Sequence, residues 1–159
     1  MNNPNKKRLR RTMMFLNAQK PGLIKDPYTY KADSLTLDLE DAVAENQKDA
    51  ARFALYHALT TIDYGSTEVI VRINGLDTPY WREDIRACVA GGCDSIRIPK
   101  TQPAEDVHRV AAAIAEDEET HGRPDGDVLI IAGPESARRL MNALAVRVSH
   151  EPLVATAPC

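Results

Sequence analysis

Asp38-Leu39-Glu40-Asp41 sets three carboxylates within four residues, at the end of the β-rich run SLTLDLED. Side chains alternate along a strand, so Asp38 and Glu40 would share one face while Asp41 enters the next loop. Carboxylates gathered at a pocket rim suit a hard divalent cation or the transfer of a proton. They also suit plainer tasks, such as capping the next helix or pairing with a nearby Lys. A second chemical feature is Arg72, inside the apolar run Val69-Ile70-Val71-Arg72-Ile73-Asn74. A guanidinium in a buried strand needs a partner, because an unpaired buried charge costs several kcal/mol. An anionic ligand carboxylate could engage it bidentately, and an internal ion pair to Asp38 or Glu40 would serve equally well. Glu135 is the third feature. It follows Gly133-Pro134 and precedes Ser136, a natural N-cap residue. A helix start favours Glu for its dipole alone, but this position also lies at the mouth of a strand.

These residues need elements to place them. Four runs, SLTLDLED, TEVIVRIN, DSIRIPK and DVLIIAGPES, each end in charged or polar residues just before a helical segment. In parallel α/β proteins that carboxyl edge is where ligands bind. The pattern predicts strands near 11–16, 35–39, 69–73, 95–98 and 128–132, with helices near 22–30, 47–60, 81–89, 104–119 and 136–148. Ala50, Ala51, Ala54, Leu55, Ala58 and Leu59 give the second helix an apolar face. Gly91-Gly92 suits a left-handed C-cap of the third. Alternating strands and helices with short connections mean βα units and a parallel sheet. Five such units fit a doubly wound sheet or part of a TIM (β/α)8 barrel, which typically takes ~250 residues.

Composition narrows the class. A chain of 159 residues with 43% hydrophobic and 27% charged residues is expected to fold as a single domain, with a flexible basic arm over residues 1–9. Net charge is −3, and the one basic run (Lys6 to Arg11) has no interleaved aromatics, so no nucleic-acid role is expected. No apolar stretch approaches the ~20 residues that span a bilayer, so no membrane role is expected. Cys88, Cys93 and Cys159 show no CxxC spacing, and reduced thiols in a cytoplasmic protein are the expectation. The four histidines lack the spacing of a zinc site. No glycine-rich phosphate loop is present.

Taken in order, RRTMMF from Arg10, LDLEDAVAENQKDAAR from Leu37, VRIN with Arg72, and RIPKT from Arg97 resemble the citrate lyase β-subunit branch of the HpcH/HpaI aldolase superfamily, which also includes malyl- and citramalyl-CoA lyases. The resemblance covers roughly residues 9–146. It implies a TIM barrel, here with about five βα units. It also implies Mg2+ as cofactor and cleavage of a citryl thioester to oxaloacetate and an acetyl thioester. The thioester would be carried by an acyl carrier protein or CoA. Citrate lyase α and γ subunits and self-association into a homo-oligomer are implied as partners.

The resemblance assigns Arg72 to a substrate carboxylate and Glu135 to both Mg2+ and substrate. Glu40 and Asp41 become the acidic pair lining the site and candidates for catalysis, and Arg11 an N-terminal substrate-binding arginine. The sequence departs from the family at Asn17-Ala18-Gln19-Lys20, inserted before Pro21-Gly22, and at Pro134 before Glu135. Residues 149–159 read as a divergent tail in place of the strand whose Gly-Ala-Glu-Asp-type motif would complete the metal site. The expectation is therefore a C-terminally truncated barrel, inactive alone, or a non-catalytic remnant with exposed apolar surface where the barrel should close.

Overall fold

In the computed structural model, which describes residues 9–20, 26–101, 104–133 and 153–156, the chain begins with β1 (Met13–Asn17). A 3-10 turn (Pro27–Tyr30), β2 (Ser34–Asp38), a second 3-10 turn (Glu45–Gln47) and α1 (Lys48–Thr61) follow. Then come β3 (Glu68–Arg72), α2 (Trp81–Gly91), β4 (Ser95–Ile98), α3 (Ala104–His121), β5 (Leu129–Ala132) and β6 (Leu153–Thr156). The strands form one parallel sheet in the order β1-β2-β3-β4-β5-β6. A doubly wound sheet reverses its strand order at a switch point, whereas here every strand pairs with its neighbour in sequence. Right-handed crossovers then place successive helices on the same side, and α1 packs on α2 and α2 on α3. This is the arrangement of an arc of a (β/α)8 barrel.

The two faces of the sheet differ as a barrel requires. Leu35 and Leu37, Val69 and Val71, Ile96 and Ile98, and Ile130 and Ala132 pack with Ala51, Leu55, Ile85, Val89, Val107 and Val110 from the helices in one buried core. The alternate positions face the other way. They are Ser34, Thr36 and Asp38, then Glu68, Ile70 and Arg72, then Ser95 and Arg97, and most are polar although nearly all are buried. A sheet sandwiched between helix layers would be apolar on both faces. The polar second face therefore argues against a helix layer on that side.

Local chemistry explains where elements differ from expectation. α2 ends as expected at Gly92, whose φ of +91° lets its N–H reach the carbonyls of Cys88 and Val89. The helix expected over 22–30 is described only from Pro27, as a four-residue 3-10 turn halted by Lys31 in the left-handed region. The helix expected over 136–148 lies outside the described residues. In the expected divergent tail, Leu153–Thr156 forms β6, pairing with β5 across a register shift at Ile130/Ile131. A four-residue LVAT run is too short for periodicity to distinguish strand from helix. Cys88 and Cys93 are buried and unbridged. No helix among the described residues is long and apolar enough to cross a membrane.

At the amino edge of the sheet, buried Glu68 takes a two-pronged ion pair from Arg10, with both contacts at 2.6 Å, and a 2.7 Å hydrogen bond from the Ser95 hydroxyl. These contacts join the chain before β1 to β3 and β4 at the floor of the interior. Replacing Arg10 by Met leaves a buried carboxylate without its cation, and stability should fall by about 3–5 kcal/mol. The double change Arg10→Met with Glu68→Gln should recover most of that loss in urea unfolding.

Candidate active site

The carboxyl edge is built from the turn that follows β2. Asp38, its last residue, folds the chain back on its own side chain. Oδ1 accepts the Glu40 N–H at 2.9 Å and Oδ2 the Ala42 N–H at 3.1 Å, a side-chain mimic of a backbone turn. Neighbouring elements pin the same turn. The Leu39 N–H donates to the Arg72 carbonyl at 3.0 Å, Asn17 Nδ2 to the Ala42 carbonyl at 2.7 Å, and Lys48 Nζ to the carbonyls of Leu39 and Glu40 at 2.7 Å each. Glu40 and Asp41 are thereby presented at the rim.

Parallel register sets Arg72 directly beside Asp38. Its Nε and Nη2 meet the two Asp38 oxygens at 2.8 and 2.6 Å. Nη1 lies 3.3 Å from both Glu40 Oε2 and Asp41 Oδ2. Lys100 follows β4 in the left-handed region, φ +51°, and donates to Glu40 Oε1 at 2.9 Å. Register also places Arg97 beside Arg72. The two guanidinium carbons lie 5.4 Å (Arg72) and 5.6 Å (Arg97) from the centre of the Phe15 ring, within cation–π range. Gly133 keeps space here, since a Cβ would come within 3.0 Å of the Ile98 carbonyl and 3.4 Å of Arg97 Nη2.

The charges shift one another in opposite directions. Burial alone would raise the Asp38 pKa, but hydrogen bonds from Arg72, Glu40 and Ala42 and the charge of Arg72 outweigh it, and the net shift is downward. For Glu40 burial prevails over Lys100 and Arg72, helped by the charge of Asp41, and its pKa rises. Arg72 is driven upward by its hydrogen bonds to Asp38. Around this edge the carboxylates of Asp38, Glu40 and Asp41, with Asp84 near Lys48, face the cations Arg72, Arg97, Lys48 and Lys100.

Of the residues singled out from sequence, Glu40, Asp41 and Arg72 are brought together. Arg11 is not. It precedes β1 and pairs with Asp33, which precedes β2, through a 2.8 Å contact. Five strand residues at about 3.3 Å each separate that amino edge from Arg72 by roughly 15 Å. Glu135 lies outside the described residues. Of the two partners open to Arg72 from sequence, the internal one is present, with Asp38 on the Nε/Nη2 fork. Sequence reading missed Phe15, Lys48, Arg97 and Lys100 as neighbours of this cluster. For Lys48 a signal existed, since it shares the buried stripe of α1 with Ala51, Leu55 and Ala58 at spacings of three, four and three.

Among the described residues no three His, Cys, Asp or Glu side chains are arranged to hold a metal ion. Hard oxygen ligands are nonetheless present, and buried Glu40 Oε2 accepts no hydrogen bond among the described residues.

A polar interior face that ends in guanidinium and carboxylate groups at its carboxyl edge belongs to a (β/α)8-type arrangement. The model of the HpcH/HpaI aldolase/citrate lyase family matches residues 11–157. The citrate lyase subunit beta of Leuconostoc mesenteroides subsp. cremoris is 44% identical over 153 residues, 96% of this chain and 51% of that protein. An L-malyl-CoA/beta-methylmalyl-CoA lyase of Rhodobacter capsulatus is 39% identical over 119 residues, 73% of this chain and 37% of that protein. Among solved structures, the citrate lyase beta subunit of M. tuberculosis complexed with oxaloacetate and magnesium superposes with a TM-score of 0.68 at 29% identity, covering 94% of this chain and 59% of that one. The chain belongs to the HpcH/HpaI aldolase/citrate lyase family. It spans about half the length of the relatives it matches.

The ion pair has a consequence for stability. The folded-state pKa of Asp38 lies below its unfolded value of 3.8, so the unfolded chain binds more protons at acid pH. Its contribution is present above about pH 3.8 and is lost as pH falls through the folded pKa. Asp38→Asn should flatten the decline of stability between pH 5 and pH 2, as measured by denaturant midpoints.

Proposed function

We propose that this chain supplies the Arg72 side of a Mg2+-dependent lyase site that cleaves a citryl thioester to oxaloacetate and an acetyl thioester. The observation that carries the reading is the Arg72 guanidinium at the carboxyl edge, fixed by Asp38 and turning Nη1 toward Glu40 and Asp41. The shorter contacts to Asp38 hold the guanidinium in place. The longer 3.3 Å contacts of Nη1 leave the edge on which a substrate carboxylate would compete best.

In this reaction the bond between the carbinol carbon and the thioester methylene breaks. The electron pair passes to the methylene as an enolate, the hydroxyl proton passes to a base, and the carbinol carbon becomes the keto carbon of oxaloacetate. Protonation of the enolate carbon gives the acetyl thioester. Arg72 holds and neutralises a carboxylate of the departing keto acid, so that charge is matched in place. Glu40, whose pKa is raised by burial, is the better candidate of the acidic pair to accept the hydroxyl proton, since bases work best when poised near the operating pH. Mg2+, when bound, would polarise the forming carbonyl. The sequence resemblance gives it Glu135 as ligand, and the magnesium complexes of similar structures support Mg2+ as the cofactor.

A thioester on an acyl carrier protein or on CoA fits this reading, as do citrate lyase α and γ partner subunits and self-association. The similarity to malyl-CoA lyases favours a second reading, in which a malyl thioester yields glyoxylate in place of oxaloacetate. Titration calorimetry separates the two. Oxaloacetate should bind more tightly with Mg2+ than without, and Arg72→Lys should weaken it at least tenfold, about 1.4 kcal/mol. Equal affinity for the Lys variant would reject the role of Arg72, and tighter binding of glyoxylate would favour the malyl reading.

A further inference from the structure

The amino end of a helix is the wrong place for a lysine. Backbone dipoles there favour negative charge, and a long stem normally lets the ammonium reach water. Lys48, the first residue of α1, does neither. Its side chain turns inward and is only 8% exposed, and Nζ donates to two consecutive carbonyls, Leu39 and Glu40, at 2.7 Å each. These carbonyls lie just past the last residue of β2, where the sheet ladder no longer supplies donors. Burial lowers the Lys48 pKa while the carboxylates of Asp84, Asp38, Glu40 and Asp41 act against that. An apolar side chain would fill the space but would take the ammonium donor from both carbonyls, leaving that of Glu40 with the Val43 N–H at 3.2 Å.

We propose that Lys48 is a positioning residue whose buried ammonium tethers the turn after β2 and so holds the Glu40 and Asp41 carboxylates against Arg72. Asp38 braces the turn from its N–H groups and Asn17 from the Ala42 carbonyl. Lys48 supplies the only side-chain hydrogen bonds to the Leu39 and Glu40 carbonyls among the described residues. Without it, Arg72 keeps Asp38, but the two rim carboxylates lose their fixed approach to Nη1. Any effect on catalysis rests on the function proposed above, whereas the tether itself does not.

Amide hydrogen exchange on the 159-residue chain, read by NMR for wild type, Lys48→Met and Lys48→Arg, tests this. In Lys48→Met the Glu40, Ala42 and Val43 amides should exchange at least tenfold faster, while β3 and α2 amides stay within twofold. Oxaloacetate affinity in the presence of Mg2+ should fall at least fivefold. Lys48→Arg, which keeps a cation and several donors, should restore most of both. Unchanged exchange in the turn, or a uniform rise across the sheet, would overturn the proposal. If Lys48→Met fails to fold, Lys48→Gln, which removes the charge and shortens the reach while keeping an amide NH2, decides by the same local ratio. If wild type binds no oxaloacetate, the proposed function fails while the exchange data still decide the role of Lys48.

Discussion

A guanidinium held out of bulk water between neighbouring strands is the constraint around which this edge is organised. Arg72 sits 12% exposed by its side chain, at a depth where an uncompensated charge would cost several kcal/mol. Asp38 compensates it through a fork of two short contacts. The same carboxylate also takes the N–H groups of Glu40 and Ala42. One side chain thus neutralises the cation, shapes the turn and brings two further carboxylates to the rim. Replacing it would disturb all three together, so its contribution does not divide into separate parts.

The topology makes such a cluster possible. Parallel strands bring all their carboxyl ends to one edge, and one-directional strand order keeps the helices on one face. The other face is then open to polar side chains. Asn17, Asp38, Arg72, Arg97 and Ile131 stand side by side across five strands, although they are spread over more than a hundred residues of sequence. Phe15 underlies both arginines. It lies against them while Arg72 keeps its in-plane N–H groups directed at the oxygens of Asp38, Glu40 and Asp41.

Much of this was legible before the fold was known. Strand positions followed from β-branched runs, and the acidic run and the mid-strand arginine announced themselves by residue type. Arg72 in particular could be expected to pair either with a ligand or with Asp38, and register decided for Asp38 at its fork. What could not be read were contacts set by turns. Lys100 reaches Glu40 because its own backbone enters the left-handed region, a conformation that neither Lys nor the preceding Pro99 signals. Arg11 misled in the opposite way. Closeness in sequence to β1 does not say which end of the strand a residue occupies, and Arg11 belongs to the amino edge with Asp33. The short LVAT run became a strand only because β5 was there to pair with it.

The account stands on Arg72 offering one edge of its guanidinium to a substrate carboxylate while Asp38 keeps the other. A crystal structure of the chain soaked with oxaloacetate and Mg2+ tests this most directly. The result expected is a ligand carboxylate within hydrogen-bond distance of Arg72 Nη1, with Glu40 and Asp41 beside it and the Asp38 fork intact. Oxaloacetate seated away from Arg72, with Nη1 still facing only Glu40 and Asp41, would contradict it.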